Sequence, residues 1–232
     1  QKDFDNSIKN LSLSQKDIEI KKFCLNNFID KGFPNRKEED WKFSDLNQII
    51  KNNIGELSFY NDQASTNKVD TSVFVDGLEH NKIVFINGRI EKIDFEYEKK
   101  DQIEIIDQSE TINEFKNSNS LSDLNNAFTN KCFKILVKKG YQLVKPLIIY
   151  HTTNSKIWSK NINLRLNFEL DKDSSLRLID LFNDTSEKNF LNIFYNFELK
   201  ENAVLKNYKV DKFENKNIKY SFNNIDQDKN SI

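Results

Sequence analysis

The sequence predicts a mainly β protein: a parallel β-helix with two strands per coil, preceded by a small N-terminal helical region. Three observations lead there. "FELDKDSSL" (Phe168–Leu176) matches "FELKENAVL" (Phe197–Leu205) at an offset of 29, sharing Phe, Glu and Leu at the start and Leu at the end. A weaker copy, "ILVKKGYQL" (Ile135–Leu143), lies 33 residues before the first and aligns Ile135, Val137 and Leu143 with Phe168, Leu170 and Leu176. The opening residues instead carry apolar side chains at helical spacing, a period that the repeats lack. A period near 30 built from strand, polar turn and strand suggests coils stacked around one shared core. An up-and-down β-sandwich is the alternative that the pattern leaves open.

Taken in order, residues 1–58 form the helical region. Ile18, Leu25, Phe28 and Ile29 fall at helical spacing, and Gly32 suits the left-handed position that ends a helix. Pro34 blocks simple continuation. Asn35 with Glu38 three residues on resembles a capping box, and Ser44 is the expected cap of a further helix through Leu46, Ile49 and Ile50. Residues 59–130 supply a linker, a hairpin and a short helix. The stretch 55–72 is polar and unpatterned, whereas Lys82–Ile93 alternates around Asn87-Gly88, a two-residue turn signal because both residues accept positive φ. Ser120–Phe128 reads as a short helix capped by Ser122. Residues 131–232 are the first coils of the β-helix. The chain has only 5 glycines and 2 prolines but many asparagines, which tolerate left-handed geometry and can take over turns.

Composition narrows function. With 35 basic and 36 acidic residues the net charge is −1, so a nucleic-acid or anionic-membrane partner is not expected. Apolar runs such as Pro146–Tyr150 are too short to span a bilayer. Two distant cysteines, Cys24 and Cys132, have no metal-ligand spacing and read as buried free thiols of a reduced, cytoplasmic chain. The lack of methionine and the start at Gln1 lead us to expect a segment of a longer protein.

Few residues advertise chemistry. His80 and His151 are the only histidines; either suits a general base, but neither has a recognisable triad partner, and a structural role is the plainer reading. Glu169, Asp180, Asp184 and Glu198 would place carboxylates on a coil face, as in carbohydrate-active β-helices that bind calcium. They interleave with Lys172, Arg177 and Lys200, which reads as a solvated face. No phosphate-binding glycine loop is present. From the residues alone, a scaffold fits better than a self-contained enzyme.

"GFPNRKEEDWKFSDLNQII" (Gly32–Ile50) resembles the N-terminal signature of the SufD family of iron–sulfur cluster assembly proteins. Gly32, Pro34, Arg36, Glu39, Trp41, Lys42, Phe43, Ser44 and Leu46 fit that signature in order. Similarity continues more weakly through Ile83–Ile90, Leu124–Tyr150 with Gly140 and Pro146, and Leu191–Val210; "TNKCF" (Thr129–Phe133) departs where the family often has glycine. The resemblance implies a right-handed β-helix behind the helical region. It implies a non-catalytic partner of a SufB-like β-helix protein and a SufC-like ATPase, handling a nascent iron–sulfur cluster, with ATP on the ATPase. The sister family of SufB generally lacks the Trp-Lys-Phe run. The family's docking and cluster-assembly residues fall downstream of Ile232, so no catalytic, cofactor or metal residue is carried over. Pro34, Arg36, Glu39, Trp41, Lys42 and Phe43 are expected to be structural. Trp41 and Phe43 would fasten the helical region, with Arg36–Glu39 or Lys42–Glu38 as surface pairs; a partner-binding loop is the alternative. The rival function is a solenoid carbohydrate-active enzyme or binder.

Overall fold

The computed structural model describes residues 2–9, 13–59, 69–108, 119–129, 132–153, 157–183, 188–212 and 217–232. The N-terminal region is helical, as its spacing predicts: α1 (Lys2–Lys9), α2 (Gln15–Lys31), a 3-10 turn (Glu39–Trp41) and α3 (Leu46–Asn53). The Ser14 hydroxyl accepts the Asp17 amide to start α2, and Gly32, at φ 71°, closes it by donating its N–H to the Phe28 carbonyl. Cys24 and Leu25 face inward, whereas Ile29, expected in the core, is 56% exposed. Two caps differ from expectation. Asp45, not Ser44, caps α3 through the Gln48 amide, and Asn119, not Ser122, caps α4 (Ser120–Phe128). In both cases the cap is the last residue with extended backbone, from which a short side chain reaches the third helical amide. Ser122 instead completes a capping box by accepting the Asn119 amide.

The rest of the described chain is mainly strand: β1 (Ser58–Phe59), β2 (Asn81–Ile86), β3 (Arg89–Asp94), β4 (Ile103–Asp107), β5 (Cys132–Val137), β6 (Leu147–Thr152), β7 (Lys160–Leu170), β8 (Ser175–Asn183), β9 (Phe190–Leu199), β10 (Val204–Lys212) and β11 (Ile218–Gln227). Part of the expected linker, Ser58–Phe59, is therefore a short strand, pairing with β7. Sheet A runs β11-β9-β7-β5-β4 and sheet B runs β10-β8-β6-β2-β3. From β5 onward, successive strands alternate between the sheets, and every pairing is parallel except β2 with β3 and β4 with β5. The β2–β3 pair is the expected hairpin, with Asn87 at φ 52° and Gly88 at φ 80°.

The sequence repeats are the ladder registers. Ile135 pairs with Phe168, Phe168 with Phe197, and Leu176 with Leu205. Half of the difference between the two offsets has a local cause: the bridge Gln142–Ser175 gives way to the pairing Leu147–Leu178, so two of the four extra residues bulge between them. The Glu98 carboxylate holds that bulge, accepting the Val144 and Lys145 amides at 3.1 Å each and the Tyr141 hydroxyl at 2.6 Å.

Corners repeat as well. Gly140, Asp173, Asn202 and Asn230 all have φ between 57° and 71° and stack in one column. Their amides bond from one corner to the next, Gly140 to the Lys172 carbonyl, Asp173 to Glu201 and Asn202 to Lys229. Asn202 Nδ2 reaches Asp173 and Asn230 Nδ2 reaches Asn202. Asparagine thus does glycine's turn duty, because its short amide both tolerates the left-handed backbone and bonds along the stack.

Apolar side chains fill the slot between the sheets, among them Ile83, Ile149, Leu166, Phe168, Leu178 and Phe197. The outer face of sheet A, through Phe190 and Phe194, packs on the helices. The outer face of sheet B is covered by residues 69–75. Among the described residues no helix is long and apolar enough to cross a membrane.

Candidate functional site

Inward positions of β8 read Leu176, Leu178, Asp180, Phe182, so alternation drives one carboxylate into the apolar slot. Asp180 is 1% exposed there. Register brings His151 from β6 and Tyr195 from β9 to it. His151 Nε2 lies 2.8 Å from Asp180 Oδ1 and 2.9 Å from the Tyr195 hydroxyl, which itself donates to Asp180 Oδ1 at 2.8 Å. The imidazole is stacked between Phe85, 5.3 Å away, and Phe182, 4.3 Å away, its ladder neighbours on β2 and β8. Lys209 Nζ, from β10, stands 4.0 Å from Asp180 Oδ2 and 4.9 Å from the Tyr195 ring centre. Burial, then the neighbouring carboxylate, pushes the Tyr195 phenol well above its usual pKa, so it stays a donor. Burial lowers the Lys209 ammonium, and Asp180 opposes that.

Beyond this cluster the slot stays polar: Lys209 also bonds Ser221 and, at 3.1 Å, Asn223, while Lys219 pairs with Asp211 and lies over Phe182. The cavity beside His151, lined by Phe85, Gly88, Thr153, Ile162 and Leu191, has a volume of about 10 Å³. That is at most the space of a single water and too small for a substrate. The arrangement therefore locks the His151 ring between the Asp180 carboxylate and the Tyr195 hydroxyl, with two phenyl rings on its faces. Both partners of His151 come from strands remote in sequence, which is why no triad partner is recognisable in the letters.

The carboxylates do not gather. Glu169 and Glu198 stack in register on sheet A and pair with Lys134 and Lys200, whereas Asp180 faces the slot; Asp184 lies outside the described residues. Lys172 pairs with Glu201 at 2.7 Å and Arg177 donates to the Val144 carbonyl. Among the described residues no group of three or more His, Cys, Asp or Glu is placed to hold a metal ion.

The signature stretch divides in two. Pro34 is buried, and its carbonyl accepts the Leu46 amide. Trp41 is half-buried against Tyr220 of β11, ring centres 6.0 Å apart. Phe43 is 86% exposed, which corrects the expectation that both aromatics pack. Arg36 is exposed, and the surface pair is Lys42–Glu39 at 3.3 Å, not Arg36–Glu39 or Lys42–Glu38. A 3-10 turn puts residues three apart on one side, which selects that pair.

A second buried polar layer, which sequence reasoning missed, lies between α2, α4 and sheet A. Lys21 donates to the Asn126, Ala127 and Thr129 carbonyls at the end of α4, at 3.0, 3.4 and 2.7 Å. Burial and then Arg165 lower its pKa to about 8. Arg165, from β7, bonds Asn126, and Asn125 Nδ2 reaches the Leu164 and Asn192 carbonyls. Cys24 and Cys132 are buried free thiols in this layer, as expected; burial pushes Cys24 up to about 11. Polar residues at helical spacing on α2 were the available signal. No protein-family model matches the sequence, and no curated protein matches it either.

Proposed function

We propose that this chain is a SufD-like scaffold component of a cytoplasmic assembly that builds iron–sulfur clusters with a SufB-like β-helix protein and a SufC-like ATPase, and delivers them to apoproteins. In this reading the alternating strands wind as a right-handed parallel β-helix with two strands per coil. The observation that carries it is the nine-position signature from Gly32 to Leu46. The two-sheet alternation with ladder offsets near 30 agrees with it independently. The chain acts as a non-catalytic partner; the nascent cluster is cargo, and ATP belongs to the ATPase. Glu169 and Glu198, tied to lysines, and the inward Asp180 give the carbohydrate-active rival no support.

The test is reconstitution. A tagged full-length version, carrying the sequence downstream of Ile232, is expected to retain a co-expressed SufC-like ATPase and SufB-like protein through size-exclusion chromatography. Failure to retain either, together with failure to restore cluster assembly in cells lacking a SufD protein, would overturn the proposal.

A further inference from the structure

His80 is 3% exposed and takes no part in the slot or the helical layer. It ends a segment, residues 69–80, that lies across the outer face of sheet B without joining the strand ladder. Val69, Val73, Phe74 and Val75 cover Val84, Ile86, Ile148, Tyr150 and Leu181. The Phe74 and Tyr150 rings are 4.9 Å apart. We propose that residues 69–80 are a proton-released strap, latched on sheet B by a hydrogen-bond relay from the Val75 amide through Tyr150 to His80.

The direction of every bond in the relay is fixed. His80 Nδ1 is 2.5 Å from the Leu78 carbonyl, which can only accept, so Nδ1 carries the proton. In the neutral ring Nε2 is then an acceptor, and Tyr150, 2.7 Å away, donates to it. The same hydroxyl oxygen accepts the Val75 amide at 3.0 Å. Protonating Nε2 turns the acceptor into a donor. Tyr150 is then faced by two donors, and its own proton loses the acceptor that the relay supplied. A buried hydrogen bond lost in this way is costly.

The surrounding charges act in both directions. On β2, Lys82 donates to the His80 carbonyl at 3.4 Å; on β3, Asp94 pairs with Lys82 at 3.8 Å and with Lys92 at 3.4 Å. Lys92 also lies over Phe74, and Glu79 pairs with Lys145 ahead of β6. Burial first, with Lys82 adding, outweighs Leu78 and Asp94 and lowers the imidazole pKa. Because the closed form resists the proton, the strap holds above the open form's ordinary pKa near 6.5 and loosens as pH falls below it.

Hydrogen exchange at the Val75 amide tests the strap. Protection factors at pH 7.5 and 5.5 are compared with those of Ile149 and Leu166 in the slot. Val75 protection is expected to fall several-fold, with a ceiling of about tenfold set by an open-state pKa near 6.5, while the slot amides change less. In His80→Gln the amide oxygen accepts the Tyr150 proton without titrating, so protection at pH 7.5 persists and the pH dependence disappears. An unchanged Val75 protection in the wild type, a fall shared equally by the slot amides, or the same fall in His80→Gln overturns the proposal. Ring ¹⁵N shifts of the wild type read the latch without any variant: the Nδ1–H tautomer at pH 7.5 is expected, and the Nε2–H tautomer overturns it.

Discussion

The slot between the sheets and the layer between the helices and sheet A are both largely buried, yet they are built from different material. The slot is apolar along most of its length and turns polar from the His151 cluster toward β10 and β11. The helical layer is crossed by Lys21, Asn125, Asn126, Arg165 and Asn192, bonded largely to backbone carbonyls. The difference follows from what positions each part. Strands are aligned by their own ladder bonds, so their side chains are free to be apolar and need only stack. A helix lying on a sheet has no ladder to share with it, so α4 is located by side chains that reach across to specific carbonyls. Apolar packing sets how firmly the first region holds; hydrogen-bond geometry sets where the second one sits.

The sharpest way to break the comparison is in the slot. Phe168 is fully buried and stacked on Phe197 at 4.9 Å, so Phe168→Ala is expected to cost about 3–5 kcal/mol in urea denaturation. A loss below about 1 kcal/mol would mean that the slot is not the principal core. Trp41→Ala, at the rim of the helical layer, is expected to cost about 1–2 kcal/mol, because only part of the ring is buried. If it leaves thermal stability intact but abolishes retention of the proposed partners, Trp41 is a contact residue and not a latch.

The layer's titratable groups give a finer test. The folded-state pKa of Lys21, about 8, lies below its ordinary 10.5, so above pH 8 the unfolded chain keeps a proton that the folded chain has lost, and stability rises with pH. Between pH 8 and 9 this gain is about 1 kcal/mol. Cys24 runs the other way. Raised from 9.0 to about 11, its contribution is fully present below pH 9 and is lost toward pH 11. Cys24→Ala is therefore expected to show a longer rise above pH 8 than the wild type, and Lys21→Met to lose the rise; identical pH profiles for all three proteins would contradict the burial of both groups. The smallest effect belongs to Phe43→Ala, expected within about 0.5 kcal/mol of wild type by thermal melting.

Much of the β architecture was legible because parallel stacking places equivalent positions over one another, so Phe168 over Phe197 is visible in the letters themselves. The hairpin at Asn87-Gly88 and the helix end at Gly32 were legible because each needs a left-handed residue. The caps were misplaced by one and three residues because serine, aspartate and asparagine compete for the same amides, and only backbone geometry chooses among them. The His151 cluster was not legible as a unit, since Asp180 and Tyr195 reach it from opposite sheets. Its one available signal was an acid at an inward position of β8, between Leu178 and Phe182. The signature stretch looked uniform in sequence because neither composition nor spacing says which aromatic meets β11.

The stacked corners and repeated registers carry a hazard, which the His151 cluster answers. Strands this alike are nearly interchangeable as partners, since β8 laid on β2 in place of β6 would keep the same inward stripe. That misassembly would leave Asp180 beside Ile83 and Phe85 and remove the His151 imidazole, one of the partners of a buried carboxylate. The cluster thus marks β6 and β8 as each other's partners, because a skipped strand would lose a contact that no apolar position replaces.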